Sequence, residues 1–396
     1  MRSLRTFARV ALVALLAFGA GCSGTPPSED SASADDAVTS IANTAVKEQL
    51  VGTCWLYTTA AWAEALHLRA TGTTVDLSEA YWTYWLFYER ITRGEVGDGG
   101  SLDESGTWGR AAQLIERYGA MLEADFIPEE ASRPASERTI DAMNAIMVSL
   151  AAGKLATPAS RNDRALVRAE LDAAFELRPA MTDALDSTFG KDGRRALTAT
   201  SGTITHARDF AVVSGSLSDL IGRALPETND NHRAGPSAWK QVMYPAAAPD
   251  RRAVLRRVQR SLDDGLPVIM AWNVDHLALG PSGEFRAPSS SKGAVEAHLS
   301  LVTDYQVSNV PGFGVLPVGQ PETRPDALAA GLSDNAIVDL LRIKNSWGSQ
   351  PRQGSTIPAG YHDLFRGYYD ASLESCEGAA CRKSQALSYV IVPSGY

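Results

Sequence analysis

Glu48-Gln49-Leu50-Val51-Gly52-Thr53-Cys54-Trp55-Leu56-Tyr57 is the stretch around which the chain is organised. The small-residue turn Gly52-Thr53 delivers Cys54 and Trp55 onto a run containing Ala60, Ala61, Ala63, Ala65 and Leu66, which predicts a helix reaching about Arg69. A thiol at a helix N-terminus meets unpaired N–H groups and the positive end of the macrodipole, and both favour the thiolate. Gln49, just upstream, offers an amide N–H₂ to a developing oxyanion. A lone cysteine is more commonly a small buried hydrophobe, so this stretch by itself leaves both readings open.

Two distant segments decide between them. Ala297-His298-Leu299-Ser300-Leu301-Val302-Thr303-Asp304-Tyr305 sets a histidine at the head of an apolar, strand-like run. Leu340-Leu341-Arg342-Ile343-Lys344-Asn345-Ser346-Trp347-Gly348 sets an asparagine at the end of another. Cysteine, then histidine, then Asn-Ser-Trp-Gly, in that order, resembles the papain-like cysteine peptidases and their Cys-His-Asn catalysis. The resemblance implies an α+β fold, with a helical domain and an antiparallel β-sheet or barrel domain on either side of the active-site cleft. It implies Cys54 as a thiolate nucleophile, His298 as the imidazolium that ion-pairs with it and later protonates the leaving amine, Asn345 as the group that orients the imidazole, and Trp347 as a shield over that bond. A peptide or protein substrate, and neither cofactor nor metal, follows from the same likeness.

Two features depart from the pattern. Family members carry the oxyanion glutamine six residues before the cysteine, whereas Gln49 stands five before Cys54 and Glu48 six. Either the loop is one residue shorter, or Gln49 is not the donor; a carboxylate there would repel the developing charge. His276 is a rival base, and His298 is favoured because it heads the strand whose partner carries Asn345.

Leu77-Ser78-Glu79-Ala80-Tyr81 followed by aromatics, then Gly97-Asp98-Gly99-Gly100, Leu114-Ile115-Glu116-Arg117-Tyr118-Gly119 and Pro128-Glu129, is similar to the bleomycin hydrolase and aminopeptidase C branch. Ser78 is placed to cap a helix with an aromatic-rich face. In the family a matching Gly-Gly lines the cleft and pairs with the substrate backbone, which would be Gly99 and Gly100; a plain turn is the other reading. With only 31 residues between Cys22 and Cys54, no propeptide is expected. In this branch the chain's own C-terminus lies in the cleft, and here the tail Val392-Pro393-Ser394-Gly395-Tyr396 is short for that task.

The N-terminus has a basic head (Arg2, Arg5, Arg9), an apolar run Val10 to Phe18, then Gly19-Ala20-Gly21-Cys22. This is a secretory signal, too short for a spanning helix. Cys22 after small residues resembles a bacterial lipoprotein signal, in which it would be acylated. Gly19 replaces the usual Leu, and an ordinary cleaved signal is the alternative. The expected location is the cell envelope, lipid-anchored to a membrane and facing the periplasm or exterior. Net charge is −9, which argues against a nucleic-acid partner, since phosphate contacts need clustered Lys and Arg. Cys376 and Cys381, five residues apart in an exported chain, are expected to form a small-loop disulfide.

The expected organisation is a signal at 1–22, a flexible linker at 23–45, a helical domain at 46–130, a helical insertion at 131–240 and a β-rich domain at 241–396. The insertion is inferred because His298 stands 244 residues after Cys54, against roughly 130–150 in papain and cathepsins. Its helices are predicted to bury Ile140, Met143, Met147 and Leu150, then Leu166, Leu171, Ala174 and Phe175. Residues 310–335, rich in Pro and Gly, are expected to be a surface loop. Two other functions stay open: an inactive papain-shaped binding lipoprotein, and a cell-wall peptide amidase or acyl transferase. The sequence is silent on oligomeric state.

Overall fold

In a computed structural model, residues 41–131, 137–225, 232–290, 294–377 and 380–396 are described. The signal, Cys22 and the linker up to residue 40 lie outside them. Helix α1 (Cys54–Thr71) begins at the cysteine itself and is closed by Gly72 in the left-handed conformation, with its N–H on the Leu68 carbonyl. Helix α2 (Glu79–Arg93) starts where the Ser78 hydroxyl accepts the Tyr81 N–H at 3.0 Å. Its aromatics Tyr81, Trp82, Tyr84, Trp85, Phe87 and Tyr88 are all fully buried. One side packs on α3 (Trp108–Tyr118), where Trp85 stacks on Tyr118 at 4.0 Å and Tyr81 donates to the Tyr118 carbonyl at 2.7 Å. The other side is covered by the insertion, through Phe175, Phe189 and the buried guanidinium of Arg168. Truncating Trp85 to Ala should therefore cost about 3–5 kcal/mol.

The stretch expected to be an insertion carries helices α4 (Glu137–Ala152), α5 (Arg164–Ala174) and α6 (Pro179–Phe189). On α4 the buried residues are Thr139, Ala142, Ile146, Ser149 and Leu150, so the face expected to carry Ile140, Met143 and Met147 is turned by one residue. A step of one residue swings a side chain by about 100°. On α5 the buried set is Val167, Arg168 and Leu171, with Phe175 just beyond.

The sheet collects β1 (Lys240–Met243), β2 (Val268–Val274), β3 (Glu284–Phe285), β4 (Glu296–Val310), β5 (Gly314–Leu316), β6 (Ile337–Lys344), β7 (Tyr361–Phe365) and, after the hairpin β8 (Ser372–Glu377) and β9 (Ala380–Gln385), β10 (Leu387–Val392). Its order is β1-β10-β2-β4-β6-β7-β3, with β5 folded back on β4. Neighbours run antiparallel except β7 with β3. Alternation along the strands gives the sheet two apolar faces. Ile269, Ala271, Leu299, Leu301 and Ile391 join the core of the helical half. Met270, Trp272, Val302, Ile343 and Val390 form a second core, closed by Val254, Val258 and Leu262 of α7 (Ala248–Asp263). The chain therefore has the expected α+β architecture of a helical part and an antiparallel sheet. The expected loop at 310–335 instead contains β5 and a helix, Pro325–Gly331, whose Ala327 is buried. Among the described residues no helix is long and apolar enough to cross a membrane.

Residues 41–49 form a strap across both halves. Ile41 is buried, and the end of the expected flexible linker is therefore held in place. Glu48 bridges to Trp347, Gln49 N–H reaches the Ser346 carbonyl at 2.9 Å, and Gly348 N–H reaches the Lys47 carbonyl at 3.3 Å. Lys47 Nζ lies 3.0 Å from Glu64, 2.9 Å from Glu79 and 2.6 Å from Asp76. Thr44 donates to Glu64 at 2.6 Å and receives Lys344 at 3.0 Å.

Candidate active site

Cys54 is the first residue of α1 and is 8% exposed. The first turn of the helix is fastened to β4 immediately after His298. Thr58 Oγ1 donates to the Leu299 carbonyl at 2.8 Å, and the Leu299 N–H points at the Cys54 sulfur. His298, 5% exposed, holds Asn345 Oδ1 through Nε2 at 2.7 Å. That oxygen also accepts the Ser346 N–H at 2.9 Å and the Ser300 hydroxyl at 3.3 Å. An atom receiving a backbone N–H must be the amide oxygen, so Nε2 carries the proton and Nδ1 keeps the lone pair. Trp272 Nε1–H donates to Ser300 Oγ at 3.1 Å, extending the network into the sheet.

The Trp347 ring lies 5.1 Å from the His298 ring, tilted by 38°. It is flanked by His276 at 5.5 Å and by His362 at 5.1 Å. His362 is fixed structurally: Nδ1–H donates to the Gly283 carbonyl at 3.0 Å, and Nε2 accepts from Arg352 at 2.9 Å. His276 is exposed at the mouth, 3.3 Å from the Glu296 carboxylate, and makes no described hydrogen bond to Asn345.

The charge state differs from the thiolate expected at a helix N-terminus. Burial pushes the Cys54 thiol up to about 11, although the N–H groups of Leu299, Trp55 and Cys54 itself pull the other way. Burial likewise brings the His298 imidazole down to about 4, against the hydrogen bond to Asn345. Desolvation disfavours both charged forms and here outweighs the helix end. On this balance burial favours the neutral thiol and imidazole over the ion pair.

Gln49 sits on the strap with its side chain held at both ends. The Ser346 hydroxyl donates to Oε1, and Nε2 donates to the Val51 carbonyl at 3.2 Å. This sends Oε1 towards Ser346 and leaves the second Nε2 proton for another acceptor. Glu48 is turned to Gly348, where a Cβ would come within 2.8 Å of its carboxylate.

Of the two glycines expected to line the cleft, Gly99 is exposed and Gly100 is buried. Gly100 is buried against α4, where a Cβ would meet the Ala151 nitrogen at 2.7 Å and the Leu150 carbonyl carbon at 2.9 Å. Its left-handed φ of 83° and the close approach explain the glycine, and the partner is the insertion. The segment that flanks Cys54 is instead Glu104-Ser105-Gly106, with Gly106 lying against the Trp55 ring. A glycine pair in the text does not reveal which neighbour demands it.

The tail does not reach the cleft. The Tyr396 hydroxyl donates to Asp264, beside Gly265, which abuts the Arg69 guanidinium. Arg69 is 15 residues beyond Cys54 on α1, roughly 22 Å along the axis. Cys376 and Cys381 face each other across the β8–β9 hairpin and are joined as a disulfide.

No family model matches the sequence, and no curated protein matches it. Similar solved structures include PepW from Lactobacillus rhamnosis, with a TM-score of 0.47 and 13% identity over 93% of this chain and 82% of that one. Xylellain, a cysteine protease from Xylella fastidiosa, gives 0.35 and 12% over 90% and 84%. A cysteine protease of Carica candamarcensis gives 0.35 and 14% over 88% and 92%. At these values none of the likenesses says what the chain does.

Proposed function

We propose that this chain is a papain-like cysteine peptidase that hydrolyses peptide bonds through Cys54, His298 and Asn345. The observation that carries the reading is the meeting of three distant segments. Cys54, at a helix N-terminus, abuts the Leu299 peptide, and His298 Nε2 is held at 2.7 Å by Asn345. Since Asn345 occupies Nε2, Nδ1 takes the thiol proton as sulfur attacks the substrate carbonyl carbon. The tetrahedral oxyanion is met by Gln49 Nε2–H and the Cys54 N–H, and such donors are worth roughly 3–4 kcal/mol of barrier each. Nδ1–H then protonates the departing amine, leaving a thioester. Water adds to the thioester, His298 accepts its proton, and the acid is released with the thiol restored.

The bleomycin hydrolase likeness rests on the aromatic helix and its flanking motifs, and the tail at Asp264 gives it no support as an aminopeptidase arm. We further propose export and lipid anchoring through Cys22. Incubating the protein from residue 23 onward with a peptide library, beside Cys54→Ala, tests the activity. Cleavage lost in Cys54→Ala, with labelling of Cys54 by an epoxide inhibitor, supports it. Labelling without cleavage of any peptide favours an amidase or acyl transferase, and a Cys54 that does not label favours the inactive binding protein.

A further inference from the structure

We propose that Glu104 is a positioning residue that clamps the nucleophile loop from both sides, an inference that rests on Cys54 being the nucleophile. The Glu104 carboxylate accepts the N–H of Gly52, two residues before Cys54. Its backbone carbonyl accepts Trp55 Nε1–H, one residue after Cys54, at 2.9 Å. The same residue thus grips the chain on each side of the sulfur.

The loop needs such a hold. Thr53 caps α1 without a side-chain hydrogen bond, and its buried hydroxyl has no partner among the described residues. The tight turn from Thr53 N–H to the Val51 carbonyl, at 2.7 Å, is local and ties the loop to nothing outside itself. Glycine at 52 fits this arrangement, because a Cβ there would come within 3.0 Å of the Glu104 carboxylate.

Glu104 is itself anchored. Arg90 of α2 donates to the Ser105 carbonyl at 2.6 Å and pairs with Asp103 at 3.2 Å, while Asp103 accepts the Ser105 N–H at 2.8 Å. Gly106 then lies so close to Trp55 that a Cβ would reach within 2.2 Å of the ring. A continuous path therefore runs from α2 through Arg90 and Glu104 to the residues flanking Cys54. A hydrogen bond to a charged acceptor is among the stronger ones, and misplacing a reacting group by about 1 Å can cost on the order of 100-fold in rate.

The test compares wild type with Glu104→Ala and Glu104→Gln, the latter keeping an acceptor oxygen without the charge. Four quantities are measured: the rate of Cys54 alkylation by iodoacetamide, kcat and KM on a cleaved peptide, and Tm. The expected result is alkylation and kcat lowered about 10- to 100-fold in Glu104→Ala, KM within about twofold, and most of the loss recovered in Glu104→Gln. Alkylation at the wild-type rate in Glu104→Ala overturns the proposal, as does a kcat loss matched by an equal loss in Glu104→Gln. If no peptide is cleaved even by wild type but alkylation still depends on Glu104, the clamp stands and the peptidase reading falls.

Discussion

Ser346 and Gln49 hold each other twice: the serine carbonyl accepts the glutamine backbone N–H at 2.9 Å, and the serine hydroxyl donates to the glutamine Oε1. The second contact decides which way the amide faces, since an oxygen engaged by a hydroxyl leaves the N–H₂ on the other side. Ser346→Ala is expected to lower kcat about tenfold with KM little changed, and Gln49→Ala about 100- to 1,000-fold. Steady-state kinetics on one peptide checks both. A Gln49→Ala enzyme at full speed removes Gln49 from the oxyanion site.

The buried couple sets the pH dependence. With the thiol near 11 and the imidazole near 4, the reactive pair keeps a constant proton count between those values. Turnover should form a broad plateau whose acid limb, from His298 protonation, falls near pH 4. An acid limb at pH 6–7 in initial rates, with the protein still folded, contradicts the neutral couple.

Stability should follow a related course. Burial holds His298 and His362 near 4, below the 6.5 of a free imidazole. As pH falls below about 6.5 the unfolded chain binds these protons first, so stability is full above that value and is lost progressively towards pH 4. Each ring contributes up to roughly 3 kcal/mol. Chemical unfolding at pH 7.5, 6, 5 and 4 reads the slope, and a flat midpoint denies it.

Lys47 is the one cation within 3.0 Å of both Glu64 and Glu79 among the described ion pairs. Lys47→Met should cost about 3–5 kcal/mol by taking from the buried Glu64 carboxylate its nearest cation. Restoring most of that stability with Glu64→Gln in the same chain would confirm the cause. An unchanged Tm for Lys47→Met would deny it.

Deleting Pro393–Tyr396 should leave the cleavage pattern unaltered, because the tail ends beside Asp264. A switch from stepwise N-terminal trimming to internal cuts, seen by mass spectrometry of the products, would mean that the tail visits the cleft.

Cys22→Ala should move the protein from the membrane fraction to the soluble fraction, and intact mass of the wild type should include acyl chains. Retention on the membrane, or an unmodified mass, contradicts lipid anchoring.

Much of the site was legible because its members are short motifs on predictable elements. Cys54 heads a helix, His298 lies near the start of a strand, and Asn345 follows the last residue of the next one. The state of the thiol was not legible, since burial by a second half of the chain is absent from any local pattern. Glu104 was missed for the same reason. Its hold on Gly52 and Trp55 spans about fifty residues and uses one carboxylate and one carbonyl, which no spacing announces. At Gly100 the sequence shows a glycine but not that its close neighbours are Leu150 and Ala151 of α4. On α4, Ile140, Met143 and Met147 make a plausible stripe, but the buried face carries Thr139, Ala142, Ile146, Ser149 and Leu150, and the Ser149 hydroxyl donates to Glu170 at 2.7 Å.

On the peptidase reading, the strap at residues 41–49 also bears on when the site is completed. Thr44 is bonded to Lys344, 300 residues later, and Gln49 is oriented by Ser346. A ribosome adding about 5–20 residues per second needs roughly 15–60 s to travel from Cys54 to Ser346. For the first 244 residues of that stretch the nascent chain carries the cysteine without His298, and until its end without Asn345 or a fixed Gln49 amide. In the order of synthesis the candidate nucleophile is made early and its site is completed late.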